Sequence, residues 1–371
     1  MEIKSNIYII ILAAGIATRL KPLSEKIPKP LIAISGKTLI FRIISNFKEA
    51  GFNKFCIVLG YKNGLVKKEI LKIKDIEADF IVQKEPTGMA DAIAFAINSI
   101  LLNHNDASKF FITAADIIFS KEELLKMFEL HKKADIVLSL MKSNDLEIAK
   151  SHANVKISKD SGLSKDIDEN QGLSLIDIIE KPKPQEIMSD YYSLPLYLTN
   201  LEILRYFKNL EISERGEREF QDVLKNAMQN HLDIRGIRIL TPLITAENIG
   251  EFHLTCLQDI IRMNKRFLVE IKKNSFKGKK PNIIEPLRFG NDVKIGDKLK
   301  LGPYVIIGDS STIGDFSELS NTILFNKVNL GKFCALEWCI IDEGVSLPDN
   351  YCAKNCFITR DNKNDLEIIN F

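Results

Sequence analysis

The sequence predicts an α/β domain built on a mostly parallel sheet, followed by a left-handed parallel β-helix. Two patterns carry this reading. Strand-like and helix-like segments alternate from Ile7 to Met141, and an aliphatic–glycine pair then recurs every six residues from Phe289 onward. A chain of 371 residues is also too long for one ordinary core, so two domains are expected.

The N-terminal elements follow in order. Ile7–Ala13 is an apolar run, too short to cross a membrane, that ends in a glycine-containing turn; it reads as a buried strand. Leu39, Ile40, Ile43, Ile44 and Phe47 recur at helical spacing, with Gly51 as the stop. Phe55–Gly60 and Asp79–Gln83 read as the second and third strands. Gly88 opens a helix with Ala90, Ile93, Ala94 and Ile97 on one face. Lys109–Asp116 and Asp135–Met141 are further strands, with a helix in Lys121–Lys133 between them. Repeated strand–helix–strand units imply a parallel sheet covered on both faces. Ligands of such sheets bind beyond the carboxyl ends of the strands. There the turn after Ala13, Gln83 and Asp116 are expected to meet.

The second pattern runs through Phe289–Gly290, Ile295–Gly296, Leu301–Gly302, Ile307–Gly308 and Ile313–Gly314. An aliphatic residue at every sixth position can fill the interior of a triangular coil, and the glycine is expected to ease the adjacent corner. The period slips by one before Leu330–Gly331 and fades after Leu347, as a loop and an atypical capping coil require. Leu257–Lys272 reads as a helix and Lys273–Lys280 as a polar linker. The expected division is residues 1–265 as the N-terminal domain, 266–285 as linker and 286–371 as the β-helix domain.

Composition narrows the partners. A hydrophobic fraction of 45% and a charged fraction of 27% are those of a soluble globular protein. The formal net charge of +2 provides no basic field for nucleic acid, and no segment reads as a membrane span. With no export signal, the six cysteines are expected to be reduced thiols in a cytoplasm. Cys334, Cys339, Cys352 and Cys356 cluster loosely, but their spacings do not match a zinc ribbon, and small buried core thiols are the better reading.

The densest chemistry lies in LAAGIATRLKPLSEKIPKPL, Leu12 to Leu31. Leu12, Ala13, Ala14 and Gly15 carry a strand into a small-residue turn, where main-chain N–H groups can approach a polyphosphate closely. Arg19 can fork onto phosphate oxygens, and Lys29 supplies a point charge on a rigid Pro28–Pro30 mount. An ordinary βα turn with two solvated cations is the plainer alternative. Arg19 together with Pro28–Lys29–Pro30 speaks against it.

These residues resemble the nucleotide-sugar pyrophosphorylases, which share the pattern L-A-x-G-x-G-T-R-L-x-P-L-T-x-x-x-P-K-P-L. The resemblance covers about the first 265 residues. It implies a Rossmann-like, GT-A-like nucleotidyltransferase domain for residues 1–265. It also implies a reaction between a nucleoside triphosphate and a sugar 1-phosphate, with Mg²⁺ as cofactor. Arg19 and Lys29 look like the family's catalytic cations, and Leu12–Gly15 the nucleotide loop. Gln83 and Gly88, in QKEPTGMADA, look like its base-reading elements. Asp116, in FFITAADIIF, matches the family's metal-binding aspartate. Glu180 and Lys181, in DIIEKPKP, resemble the motif that holds the sugar and its phosphate. Asn248, in AENIGEFHL, aligns with the second metal ligand, usually an aspartate. Asn keeps a hard carbonyl oxygen but loses a charge. Ser213–Leu224 also resembles a family segment, either a wall of the sugar pocket or a solvated helix start.

Departures from the pattern bear on substrate more than on reaction class. Ala17 replaces the second glycine of the loop, where a methyl group opposes a φ > 0 geometry. Met89 stands where threonine is usual, and Ala153 and Pro195 stand where the family has glycines. The β-helix suits a homo-oligomer assembly role. Acetyl transfer there would need a base, and His104, His131, His152, His231 and His253 all precede the hexapeptides. A non-catalytic, pyrophosphorylase-like subunit is the third reading, opposed by the retained charged set.

Overall fold

Six of the seven side chains of β1 (Ile7–Ala13) are buried, and the strand has no polar face. Such a strand can lie only in the middle of a sheet covered on both sides. The structure, a computed structural model, describes residues 4–60, 62–83, 85, 87–144, 146, 152–158, 172–238, 253–269 and 282–371. By contacts the chain divides into two units. The first comprises Met1–Ile16, Pro28–Leu31 and Leu39–Thr241, and the second Ala17–Ile27, Ile32–Thr38 and Pro242–Phe371.

In the first unit, β1 lies between β2 (Lys54–Leu59) and β4 (Lys109–Ala114), parallel to both. β3 (Glu77–Val82) extends the parallel set beyond β2. β8 (Tyr191–Asn200) then pairs antiparallel with β4 and with β5 (Ile136–Lys142). β9 (Ile234–Arg238), β7 (Leu173–Ile179) and β6 (Ala153–Ile157) complete a nine-stranded sheet in the order β3-β2-β1-β4-β8-β5-β9-β7-β6. The five strands expected before residue 142 are all present, within two residues of their expected ends. The antiparallel β8 at the centre has no counterpart in the sequence reading. It contains Pro195, and its register against β5 shifts between Ser193 and Tyr197. The proline thus stands where the ladder is interrupted, which is how a residue without an N–H fits an inner strand.

Helix α1 (Leu39–Glu49) buries Leu39, Ile40, Ile43, Ile44 and Phe47, the full stripe read from spacing. The short α2 (Asn63–Ile70) follows β2. α3 (Met89–Asn103) buries Ala90, Ala92, Ile93, Ala96, Ile97 and Ile100, a broader face than expected, and Ala94 is only half-buried. The cause is a second neighbour: α3 shares its core with the sheet and with Phe220, Val223 and Leu224 of α5 (Phe220–Gln229). α4 (Lys121–Leu130) starts at a capping box. Ser120 Oγ accepts from the Glu123 N–H at 3.3 Å, and Glu123 accepts from the Ser120 N–H at 2.6 Å. Among the described residues no helix is long and apolar enough to cross a membrane.

The second unit contains α6 (Leu257–Val269) and a parallel β-helix. One coil spans 18 residues at first, with Leu287 opposite Val305, and 17 later, with Asn329 opposite Ser346. The slip in the sequence period therefore has a place. Gly302–Tyr304 turns one corner with a residue more than Asn321–Thr322 uses at the same corner a coil later. Leu301, Ile307, Ile313 and Leu330 are buried inside, whereas Phe289 and Ile295, in the first coil, are half-buried. A final antiparallel pair, Cys352–Arg360 with Leu366–Asn370, ends the stack.

Apart from Gly302, which turns its corner at φ 106°, the repeat glycines do a different job from the one expected. The left-handed corner residues are Asp292, Lys298, Tyr304, Ser310 and Phe316, each two positions after the glycine of its pair. A Cβ on Gly308 or Gly314 would instead lie 2.5 Å from backbone atoms of the next coil. Close stacking, not corner geometry, demands glycine there. Cys334, Cys339 and Cys356 are buried within the coils, with Cys339 Sγ 3.7 Å from Cys356 Sγ on the next coil, while Cys352 is exposed.

Gly314→Ala is expected to destabilise the β-helix by about 2 kcal/mol through overpacking. Gly344→Ala, whose Cβ meets no atom, carries only the left-handed penalty of about 1 kcal/mol. Urea midpoints of the two variants check that order.

Candidate active site

The four parallel strands β1–β4 end at one edge. Register sets Ala13 opposite Leu59, Leu59 opposite Val82, and Leu12 opposite Ala114. The residues that follow, Ala14–Gly15, Gly60, Gln83 and Ala115–Asp116, collect there. Ala115 N–H donates to the Leu12 carbonyl at 3.0 Å, and Gln83 N–H to that of Leu59 at 2.9 Å. The strand order reverses between β1 and β4, the place where open α/β sheets bind ligands. Gly60 was not foreseen. A Cβ there would lie 2.6 Å from the Ala14 carbonyl oxygen, so glycine lets the two strand ends touch. A Cβ on Gly15 would meet no atom within 4 Å, so the fold itself does not require glycine at that position.

Lys29 begins a single 3₁₀ turn between the buried Pro28 and Pro30. Its Nζ lies 2.6 Å from Asp116 Oδ2, and the two side chains are 17% and 19% exposed. Partial burial shields this pair from the screening that makes surface ion pairs weak. Asp116 does not cap the following helix, because Ser120 does. Its carboxylate stands at the end of β4 as a hard oxygen donor. Among the described residues no three His, Cys, Asp or Glu side chains converge as a metal set. A protein cage is therefore not present among them, but Mg²⁺ commonly takes one or two carboxylates and fills its remaining positions with phosphate oxygens and water. Asp116 fits that mode. Asn248, the other expected ligand, lies outside the described residues.

Gly88 precedes α3 with φ 122°, and a Cβ there would fall 2.4 Å from the Arg218 carbonyl. Both the dihedral and the close approach require glycine. The Arg218 N–H donates to the Thr87 carbonyl at 3.0 Å, the Ala90 N–H donates to that of Arg218 at 3.1 Å, and the Arg218 guanidinium meets Asp91 at 3.0 Å. The segment before α5 is thus bound to the start of α3.

The same segment leads to a second cluster. Glu180 and Lys181 follow β7, with Lys181 Nζ 3.5 Å from Glu180 and Lys181 itself at φ 45°. A left-handed lysine is a strained residue of the kind that gathers at functional sites. Arg215 lies 3.6 Å from Glu180 and 2.5 Å from the buried Glu219, which also accepts from Ser213 Oγ at 2.9 Å. Ser213–Glu219 is thus tied to Glu180 through Arg215, while Glu214, Arg215 and Gly216 remain exposed. Burial pushes the Glu180 carboxyl up from its ordinary value, against the pull of Lys181 and Arg215. Burial likewise raises the Tyr197 hydroxyl. Register places this cluster at the edge already described: Ile179 faces Asn154, and Asn154 faces Tyr192, near the point where β8 passes the end of β4. Ala153 pairs with Ser193, two residues from Pro195, so two of the family departures are neighbours.

Arg19 belongs to the second unit, exposed on the turn Thr18–Leu20. Ala17 before it adopts φ 56° and ψ 52°, the left-handed geometry its methyl group opposes. Of the expected site residues, the structure joins Lys29 to Asp116 and Glu180 to Lys181, and it sets Leu12–Gly15, Gln83 and Asp116 at one strand edge. Arg215, Glu219, Tyr197 and Gly60 enter from the structure. The first two lie in a segment singled out by its resemblance to a family segment, but nothing in the sequence ties them to Glu180.

Comparison with known proteins follows the same outline. Residues 8–236 match the family described as Nucleotidyl transferase. The bifunctional protein GlmU of Methanococcus maripaludis is 31% identical over 224 residues, 60% of this chain and 47% of that protein. A bifunctional sugar-1-phosphate nucleotidylyltransferase/acetyltransferase of Sulfurisphaera tokodaii is 28% identical over 223 residues, 60% of this chain and 48% of its own length. The chain spans about half the length of the curated relatives it matches. The crystal structure of UDP-glucose pyrophosphorylase with UDP-glucose aligns with a TM-score of 0.58 over 71% of this chain and 99% of that one, at 18% identity, a likeness of fold.

Two variants test the local energetics. A carboxyl raised in the folded state favours folding only while protonated, below its unfolded value, and that contribution is lost as pH rises through the folded value. Glu180 is therefore a net cost to stability at neutral pH. Glu180→Gln is expected to melt above the parent at about pH 7 and to lose the advantage near about pH 4, as melting curves will read. Ala17→Gly relieves about 1–2 kcal/mol of left-handed strain against about 0.4–1 kcal/mol of added unfolded-state entropy. A higher urea midpoint is expected.

Proposed function

The chain belongs to the nucleotidyl transferase family, and on that premise we propose that it joins a sugar 1-phosphate to a nucleoside triphosphate, giving a nucleotide sugar and pyrophosphate. The observation that carries this reading is Lys29 held 2.6 Å from Asp116 at the carboxyl edge of the sheet, beside the Leu12–Gly15 turn. Such an edge can receive a polyphosphate, with Gly15 leaving the main chain open to close approach.

In the proposed step an oxygen of the sugar 1-phosphate attacks the α-phosphorus in line. The new O–P bond forms as the bond to the β-phosphate oxygen breaks, and pyrophosphate leaves. No general base is needed, because the nucleophile is already a phosphate dianion. Positioning and charge neutralisation do most of the work. Arg19 and Lys29 stabilise charge on the α-phosphate and on the leaving pyrophosphate. Lys181 grips the incoming phosphate, while Glu180 accepts from sugar hydroxyls, kept in place by Arg215. Gln83, whose amide both donates and accepts, reads the base edge. Asp116, with Asn248, would hold Mg²⁺, which when bound polarises the α-phosphate.

We assign this chemistry to residues 1–265, with residues 266–285 as linker. The β-helix domain, residues 286–371, serves a homo-oligomeric assembly; it contains no histidine to act as base for acetyl transfer. The cysteine usage favours the reducing cytoplasm as its compartment.

A pyrophosphate-release assay across nucleoside triphosphates and sugar 1-phosphates, with Mg²⁺, tests the reading. Turnover is expected in at least one combination, and silence in every one overturns it. Lys29→Ala is expected to lower kcat by at least about a thousandfold with an unchanged circular dichroism spectrum. Near-normal rates in that variant would remove Lys29 from the mechanism.

A further inference from the structure

Two short pieces of the N-terminal sequence, Ala17–Ile27 and Ile32–Thr38, fold with the second unit. Between them lie only Pro28–Leu31, the piece that carries Lys29. Both neighbours of that piece are fastened, each to a different part of the second unit.

The first fastening is ionic. Lys26 Nζ lies 2.7 Å from Asp342 Oδ2, 2.6 Å from Thr359 Oγ1 and 3.2 Å from the Arg360 carbonyl oxygen. Thr359 also donates to Asp342, from the next coil of the β-helix. Asp342 is 2% exposed. A buried carboxylate is unfavourable unless it is paired, so the end of the β-helix is electrostatically complete only with the ammonium that the loop brings. The second fastening is a hairpin, Ala33–Ile34 with Lys37–Thr38. At its tip the Ser35 N–H donates to Oδ1 of Asn264, a buried residue of α6. A Cβ on the adjacent Gly36 would fall 1.3 Å from the Arg288 guanidinium, so the first coil lies directly against the hairpin.

We infer that the C-terminal unit positions the phosphate-gripping residues: Lys26, through Asp342 and Thr359, and the Ser35–Gly36 tip, through Asn264 and Arg288, hold both ends of the Lys29 segment together with the Arg19 turn. Lys26, Asn264 and Arg288 are positioning residues, since none is assigned a contact with substrate. The unit is then more than an assembly domain. It sets how rigidly Arg19 and Lys29 are presented. The identity of the anion, a nucleoside triphosphate, rests on the proposed nucleotidyl transfer; the mechanical link does not.

The experiment uses the full-length protein and its Lys26→Met and Lys26→Arg variants, with inorganic tripolyphosphate and Mg²⁺ as the probe. Lys26 is exposed, so its replacement leaves the apolar coil interior filled, and the loss of Asp342's partner falls on the end coil alone. In Lys26→Met, amide hydrogen exchange in residues 17–27 is expected to quicken about tenfold, the scale of one charge-assisted hydrogen bond. Exchange in residues 300–340 stays as in the parent, and tripolyphosphate binds about tenfold more weakly. Lys26→Arg restores most of both effects. Unchanged exchange in residues 17–27, or faster exchange spread equally over the coils, overturns the inference, as does unchanged tripolyphosphate affinity beside a loosened loop. A parent protein that makes no nucleotide sugar refutes the proposed reaction alone, because exchange and tripolyphosphate binding still decide the positioning role.

Discussion

Lys29 and Asp116 meet at 2.6 Å although 87 residues separate them. That ion pair is the contact on which the arrangement of the first unit's strand edge depends. It holds the piece Pro28–Leu31 at the end of β4 after the chain has left the first unit at Ile16. Two buried prolines limit the lysine's backbone, and the end of a buried parallel strand fixes the aspartate. Neither charge is deeply buried, so each still faces the edge where a ligand can arrive. Were the pair fully buried, desolvation would hold it shut; were it fully exposed, solvent would screen it to little effect.

Around that pair, close backbone approach is the recurring device. Gly60 lets two strand ends touch, and Gly88 admits the Arg218 carbonyl. The hexapeptide glycines let one coil lie against the next. In each place the missing Cβ is needed for a neighbour, and at Gly88 and Gly302 also for the dihedral. The left-handed residues are a separate set, and outside the corners of the β-helix they include Ala17 and Lys181. Ala17 lies two residues before Arg19 and Lys181 directly after Glu180, and local strain is informative there because the surrounding fold must hold it in place.

Much of this was legible in the sequence. The apolar run at Ile7, the helical stripe from Leu39 to Phe47 and the six-residue repeat each encode an element through periodicity, which is a local property. The residues proposed to grip phosphate stand out for the same reason, since Arg19 and Pro28–Lys29–Pro30 are marked by type and spacing. Ala94 was misjudged because helical periodicity gives one face, while α3 packs against two neighbours. The role of the repeat glycines was misjudged because a sequence shows that a glycine recurs, not which atom approaches it.

By itself, then, the sequence determined the strands β1–β5, the coiled C-terminal part, and the kinds of residue that would carry the chemistry. The tertiary structure decided which of them meet. The insertion of antiparallel β8 beside β4, the closure of Lys29 on Asp116, the joining of Arg215 and Glu219 to Glu180, and the seating of Lys26 on Asp342 are all long-range contacts. Each depends on register, burial and charge pairing between segments far apart in the chain. Local pattern holds no record of those, because the energy of such a contact appears only when both partners have been brought out of water together.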